Sequence, residues 1–275
     1  MKDEHKFIDI ENGRPDGFPI RTFDLTFSLR IYPRQLPHWR GAFIEMAGKE
    51  NDLFHNHDQG NGNHYRYPLI QYRVNKGKAG IFAINEGVDA LQDVLFSTDW
   101  KINWNGKPLA LSVSNPKKGN HMLQMTDTLR HYKLFKYLPF NADNYQAWLR
   151  CRNLTERIAL LERVLASHHI AFFADIGWRL PERLEISLQN IQLTQTVKCH
   201  DVPMLAFNLT YAANVLLPTG LALGKAVSHG FGWSAPARVK QAWKESRRDF
   251  HLKSGHENGQ LVEVVVSSDD TKKGK

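Results

Sequence analysis

Two cysteines, Cys151 and Cys199, are all that the 275 residues contain, and they stand far apart. A disulfide-stapled secreted scaffold is thereby excluded, and a reducing, cytoplasmic setting is expected. No apolar run approaches the roughly 18 residues that a membrane-spanning helix requires. Met1-Lys2-Asp3-Glu4-His5 has no apolar stretch, so no signal peptide is expected. Acidic residues are in deficit: 28 Asp and Glu face 36 Lys and Arg, for a net charge of +8. A surplus of that size favours a polyanionic partner, either nucleic acid or an acidic membrane surface. Rings are plentiful, with 15 Phe, 8 Tyr and 7 Trp. They suffice for a core, with some to spare for stacking on bases. A hydrophobic share of 42% is ordinary for a globular protein, and the length suggests two domains at about 150 residues each.

The hydropathy pattern predicts an α+β chain in two parts. Residues 1–19 are polar and carry Gly and Pro, a loosely held lead-in. Phe23, Leu25, Phe27, Leu29 and Ile31 alternate with Thr22, Asp24, Thr26, Ser28 and Arg30, the period of a half-buried strand, which Pro33 stops. Leu36, Trp39, Phe43 and Ala47 recur at helical spacing. Leu69–Val74 and Ala79–Ile84 form a hairpin about Asn75-Lys76-Gly77-Lys78. Glu86–Phe96 reads as a helix, and Leu109, Leu111 and Val113 as a fourth strand. Strand-helix-strand-strand-helix-strand is the ferredoxin-like plan. Met122–Leu138 is mixed, a strand or an extended connection, and Pro139-Phe140-Asn141 marks a boundary. Asp143–His169 is the longest helical pattern, with a break offered at Asn153-Leu154-Thr155. Ile170–Ala174 is a short apolar run. Leu184–Val197 and Pro203–Val215 pair as a second hairpin. The later half therefore reads as a reduced or altered copy of the first. The expected units are a lead-in at 1–19, a ferredoxin-like (RRM-like) domain at 20–138, a second at 139–255 with a Gly-rich loop, and a largely disordered tail at 256–275.

Two stretches carry chemistry. The first is Leu53-Phe54-His55-Asn56-His57, followed by His64-Tyr65-Arg66-Tyr67-Pro68, with the polar run Asp58-Gln59-Gly60-Asn61-Gly62-Asn63 between them. That run reads as an exposed loop. Histidine titrates near pH 6.5, and on an extended backbone two residues of spacing put both rings on one face. Paired imidazoles suit a reaction that needs a general base and a general acid. Solvated loop histidines are the bland alternative. A metal site of His55, His57, Asp58 and His64 is another, disfavoured by the lack of cysteine and of a helical His pair at ligand spacing. The consecutive letters His-Asn-His do not reproduce the metal nucleases of that name, whose residues are spread along a hairpin and helix.

The second stretch is Gly220-Leu221-Ala222-Leu223-Gly224-Lys225-Ala226-Val227-Ser228-His229-Gly230-Phe231-Gly232, with four glycines in thirteen residues. Glycines allow close backbone approach, and successive N–H groups then line an anion site. It is not a P-loop, because three residues instead of four precede Gly224-Lys225 and Ala226 follows. Nor does Gly230-Phe231-Gly232 continue into a dinucleotide fingerprint. A Gly-rich structural turn is the alternative. Arg238, Lys240, Lys244, Arg247, Arg248 and Lys253 then form either a solvated helix face or a phosphate-tracking surface.

Together these stretches resemble the CRISPR-associated endoribonucleases that cut the repeat RNA of a long precursor into guide RNAs. The thirteen-residue segment looks like that family's C-terminal Gly-rich loop, with an aromatic between its last two glycines. Leu53–His57 and Tyr65–Tyr72 are similar to the branch in which two histidines, one residue apart, follow the first helix. The resemblance spans roughly Phe23 to Trp233. It implies two tandem ferredoxin-like domains and cleavage that needs neither metal nor another cofactor, on the 3′ side of a repeat stem or in an unstructured repeat. Catalysis falls to His55 and His57. RNA contacts fall to Tyr65, Arg66, Tyr67, Gly220, Gly224, Lys225, His229, Gly230, Phe231 and Gly232. The implied partner is CRISPR repeat RNA, as single strand or stem-loop, with an effector complex and a homodimer as further partners to test and no membrane.

The implied reaction is attack of the ribose 2′-OH on its own 3′-phosphate, giving a 2′,3′-cyclic phosphate and a 5′-OH. One imidazole removes the 2′ proton and the other protonates the leaving oxygen; which does which stays open. Arg66 or Lys225 would stabilise the developing charge, and Tyr65 or Tyr67 would orient the phosphate or stack on a base. The rival readings are a non-catalytic RNA-binding subunit of a CRISPR effector complex and, third, a metal-dependent phosphodiesterase.

Overall fold

The computed structural model describes residues 17–48, 51–55, 66–97, 99–199 and 202–237. Most of the lead-in, the basic stretch from Arg238 and the tail lie outside these residues, as do His57, His64 and Tyr65. β1 (Phe18–Arg30) is the expected strand, with Leu25 and Phe27 fully buried, but Thr22 and Thr26 on its expected open face are buried as well. A 3-10 turn, Pro33–Gln35, leads into α1 (Leu36–Ala47), whose Trp39 and Phe43 are also fully buried. A one-turn helix, α2 (Asp52–His55), comes next. β2 (Ile70–Asn75), β3 (Lys78–Ile84) and α3 (Glu86–Ser97) follow.

β4 (Lys101–Trp104) and β5 (Lys107–Ala110) then form a two-stranded sheet of their own. This corrects the expected fourth strand: Leu109 belongs to that hairpin, and the fourth strand of the main sheet starts at Val113. Asn105-Gly106 drives the difference. Both residues take positive φ, 54° and 79°, as a tight two-residue hairpin turn requires.

β6 (Val113–Tyr137) runs for 25 residues. α4 (Ala142–Arg150) and α5 (Leu154–Asp175) follow. They break where expected, because the Asn153 side chain caps α5 by accepting from Glu156 N at 2.9 Å. The apolar run Ile170–Ala174 continues α5. β7 (Ile186–Cys199) and β8 (Val202–Leu216) pair antiparallel, and β9 (Trp233–Pro236) pairs with β6.

The seven-stranded sheet has the order β2-β3-β1-β6-β8-β7, with β9 on β6. β6 belongs to both halves. Its residues Val113–Leu123 pair with β1, and Gln124–Tyr137 pair with β8. The first half, β2-β3-β1-β6, has the ferredoxin-like strand order. The second, β7-β8-β6-β9, repeats it, with the Gly-rich connection in place of the second helix. The fold is thus α+β, two tandem RRM-like units.

One core packs α1 and α3 on the first sheet half through Phe27, Trp39, Phe43, Tyr72, Ile81 and Leu91. The other packs α5 on β6 and β8 through Leu134, Leu161, Leu165, Phe172, Phe207 and Leu209. Ile20, Phe82 and Ile84, from the far face of the first sheet half, join this second core. β3 is therefore covered on both faces, which accounts for its near-continuous apolar sequence.

Candidate active site

α2 carries His55 as its last residue. Asn51 opens the turn: its Oδ1 accepts from Leu53 N at 3.1 Å and its carbonyl from Phe54 N at 3.2 Å. Phe54 is 1% exposed and anchors the turn in the first core. Its ring centroid lies 5.9 Å from that of Phe43. At the far end, Tyr72 Oη donates to the Phe54 carbonyl at 3.2 Å, and Arg40 Nη2 donates to the His55 carbonyl at 2.8 Å. His55 is itself half-buried at the rim. Burial raises the Tyr72 phenol far above its ordinary pKa, so it stays a donor at every working pH.

Arg66 is exposed and lines a cleft of about 550 Å³ with Asn51, Asp52, Leu53 and Glu86, beside the turn that bears His55. A larger groove of about 1030 Å³ runs between α5 and the start of β7, lined by Arg163, Ile170, Trp178 and Arg183 among others. No residue of either sequence-predicted stretch lines it.

Tyr67 is tied into the fold. Its backbone N donates to Asp175 Oδ2 at 2.7 Å, its hydroxyl to the Ala222 carbonyl at 2.5 Å, and its ring packs 4.7 Å from that of Phe172. Gln71 Nε2 donates to the same hydroxyl at 2.7 Å. Arg73 Nη1 donates to the Gly220 carbonyl at 3.3 Å, while Nη2 stands 2.5 Å from Asp24 Oδ1 and the guanidinium lies 4.9 Å from the Phe82 ring centroid. The Arg73–Asp24 contact is one of charge, since Asp24 Oδ1 has no directed hydrogen bond among the described residues. Tyr67, Gln71 and Arg73 thus fasten the Gly-rich segment to the first half.

The four glycines of that segment all have positive φ, and each meets a neighbour. A Cβ on Gly224 would lie 2.6 Å from the Tyr137 ring. Gly230 abuts Leu36 of α1 and the Tyr72 carbonyl of β2, so no side chain fits there. Gly232 N donates to the Phe135 and Lys136 carbonyls at 3.0 and 3.2 Å. Lys225 N donates to the Leu138 carbonyl at 3.0 Å. Lys225, His229 and Phe231 remain partly exposed. Ser228 Oγ lies 3.2 Å from His229 Nδ1. β2 is therefore the element that relates the two stretches: Tyr72 reaches the His55 turn with its hydroxyl and Gly230 with its backbone.

The sequence reading missed several polar residues here. Arg40, Tyr72, Gln71 and Arg73 bond backbone or distant groups that leave no local pattern. His168 and His169 were likewise missed. His168 Nδ1 lies 2.7 Å from Tyr137 Oη, and burial with help from His169 and Lys225 pulls its pKa to about 4. His169 is wholly buried, bonded to the Leu165 carbonyl and near Tyr211 Oη, and burial takes it to about 4 as well. His169 is buried within the second half, and His168 is partly exposed beside it. Of the alternative metal set His55, His57, Asp58 and His64, all but His55 lie outside the described residues.

Residues 18–121 match the Cas6b N-terminal domain and residues 124–236 the Cas6b C-terminal domain. No curated protein sequence matches the chain. Among solved structures, a crystal structure of Cas6b is similar at 21% identity with a TM-score of 0.69, covering 80% of this chain and 100% of that one. A crystal structure of CRISPR RNA processing endoribonuclease Cas6b is similar at 20% identity with a TM-score of 0.63, covering 80% and 100%. At those identities the likeness is one of fold. The two domain matches meet at the point in β6 where pairing passes from β1 to β8, and with them the chain belongs to the Cas6b family.

Proposed function

We propose that this chain is an endoribonuclease that cuts CRISPR repeat RNA to release guide RNAs, with His55 and His57 as its proton-transfer pair. The observation that carries the reading is the turn α2 of a Cas6b chain, which holds a half-buried His55 at its end and whose first residues line a cleft with the exposed Arg66. Attack by the 2′-OH on the adjacent phosphate needs a base for the 2′ proton and an acid for the 5′ oxygen. Two imidazoles supply both without a metal, and each transfer is typically worth about 10²–10⁴ in rate. Arg66 would stabilise charge on the non-bridging oxygens. Lys225, His229 and Phe231, on a segment whose glycines are taken up with packing, supply the RNA contacts of the second half.

The test is cleavage of repeat RNA in EDTA by wild type, His55→Ala and His57→Ala, with a substrate 2′-deoxy at the scissile ribose alongside. Persistence in EDTA, loss of at least a hundredfold in rate in one or both variants, and an intact 2′-deoxy substrate support the reading. Cleavage of the 2′-deoxy substrate, or abolition by EDTA, refutes the mechanism. Tight RNA binding without any cleavage by wild type would favour a binding subunit instead.

A further inference from the structure

We propose that Arg40 and Tyr72 act as a clamp that fixes where the His55 imidazole stands, as positioning residues for the reaction above. The inference rests on the reading of His55 as a proton-transfer residue. A helix leaves its last four carbonyls without intrahelical partners. α2 has only four residues, so all its carbonyls are of this kind, and a single turn does not hold itself. Side chains from two other elements take the last two. Arg40 of α1 donates to the His55 carbonyl at 2.8 Å, and Tyr72 of β2 to the Phe54 carbonyl at 3.2 Å.

The two clamp residues also brace each other, with the guanidinium carbon 5.8 Å from the Tyr72 ring centroid. With Asn51 holding the start of the turn and Phe54 buried beneath it, the His55 backbone is fixed from three sides.

The choice of Arg40 is informative. Arg40 is only partly exposed, burial lowers its pKa, and its Nε has no hydrogen-bond partner among the described residues. A backbone carbonyl at a protein rim is ordinarily satisfied by water or a neutral donor at lower cost than a partly buried cation. An apolar side chain of similar length would fill the same space beside Tyr72. What it would not do is hold the carbonyl of residue 55. Proton transfer tolerates little error: the base must sit within about 2.6–3.2 Å of its proton's donor, and a shift of about 1 Å is worth on the order of a hundredfold in rate.

The experiment measures repeat-RNA affinity and single-turnover cleavage separately for Tyr72→Phe, Arg40→Met and Arg40→Lys. It adds ring-nitrogen NMR of protein labelled in histidine, with the His55 signal assigned by its loss in His55→Ala. Tyr72→Phe removes one hydroxyl and keeps the ring. It should cleave roughly tenfold more slowly, bind RNA within about twofold of wild type, and show a displaced His55 resonance. Arg40→Lys should recover part of the rate lost in Arg40→Met. Should Arg40→Met fail to fold, Tyr72→Phe decides alone. Wild-type rate together with an unmoved His55 resonance in Tyr72→Phe overturns the clamp. Parallel losses of binding and rate, with that resonance unmoved, also overturn it. If His55→Ala cleaves like wild type, the catalytic reading of His55 falls; the resonance in Tyr72→Phe then settles separately whether these side chains place the ring.

Discussion

Replacing Tyr67 by Phe isolates a single oxygen at the seam between the two halves. That hydroxyl donates to the Ala222 carbonyl at 2.5 Å and accepts from Gln71 Nε2 at 2.7 Å. Both partners are 2% exposed, so water does not take its place. The Ala222 carbonyl loses its donor, whereas Gln71 Nε2 keeps a contact of 3.2 Å to the Pro68 carbonyl. One orphaned buried acceptor and one weakened donor amount to about 2 kcal/mol. For a chain of this size that corresponds to a melting temperature lower by about 4–8 °C. The sequence reading assigned Tyr67 to phosphate orientation or base stacking; a hydroxyl engaged at this seam leaves RNA affinity at 20 °C within about threefold of wild type. Thermal unfolding and RNA titration of the same preparation check both statements. Because Gln71 shares the network, Tyr67→Phe with Gln71→Leu should be less destabilised than the two singles summed, by about 1 kcal/mol. A Tyr67→Phe protein that melts with wild type but binds RNA tenfold more weakly would refute the argument, because the hydroxyl would then face the ligand.

Two further outcomes follow from buried charge. Arg73→Met strands the Asp24 carboxylate and the Gly220 carbonyl, and should lower stability in urea by about 3 kcal/mol, with Asp24→Leu recovering much of it; an unchanged urea midpoint would contradict the pairing. His168 and His169, each lowered to about 4 from 6.5, stay neutral in the folded chain at pH values where the unfolded chain is protonated. Stability should therefore be level above about pH 7 and fall between pH 6.5 and 4, by about 2 kcal/mol per group at pH 5. The urea midpoint at pH 7.5 and pH 5 measures it, and His168→Gln with His169→Gln should flatten the slope.

Much of the architecture could be read from periodicity, and the exceptions have physical causes. β1 is legible because its apolar residues recur at a period of two and pack with α1 and α3, although Thr22 and Thr26 on the other face are covered as well. The β4–β5 hairpin was missed although Asn105-Gly106 is a strong turn signal, because the period of two in Leu109, Leu111 and Val113 runs unbroken from β5 to the start of β6. In β2, Gln71 and Arg73 alternate with apolar neighbours, a pattern that by itself does not show burial, yet they are 2% and 9% exposed. Their cover is the Gly-rich segment, and Arg73 lies 147 residues from Gly220. At the candidate site, histidines and glycines stand out because their chemistry is rare. Arg40 does not, since its acceptor is a backbone carbonyl and any residue type carries one. The glycine cluster was visible as a cluster; that its members pack against Leu36, Arg73 and Tyr137 depends on the tertiary fold alone.

Most two-domain proteins join their parts with a tether whose length and slack can drift. Here the joint is β6 itself, hydrogen-bonded on both sides of the crossing point. A swing between the halves would have to bend β6 at Leu123-Gln124 and part Ile20, Phe82 and Ile84 from the second core, so a ligand laid across both meets a jig of nearly fixed gauge. Opening this molecule would begin with melting at an edge, and adapting it to a wider ligand would require rebuilding a strand where other proteins lengthen a linker.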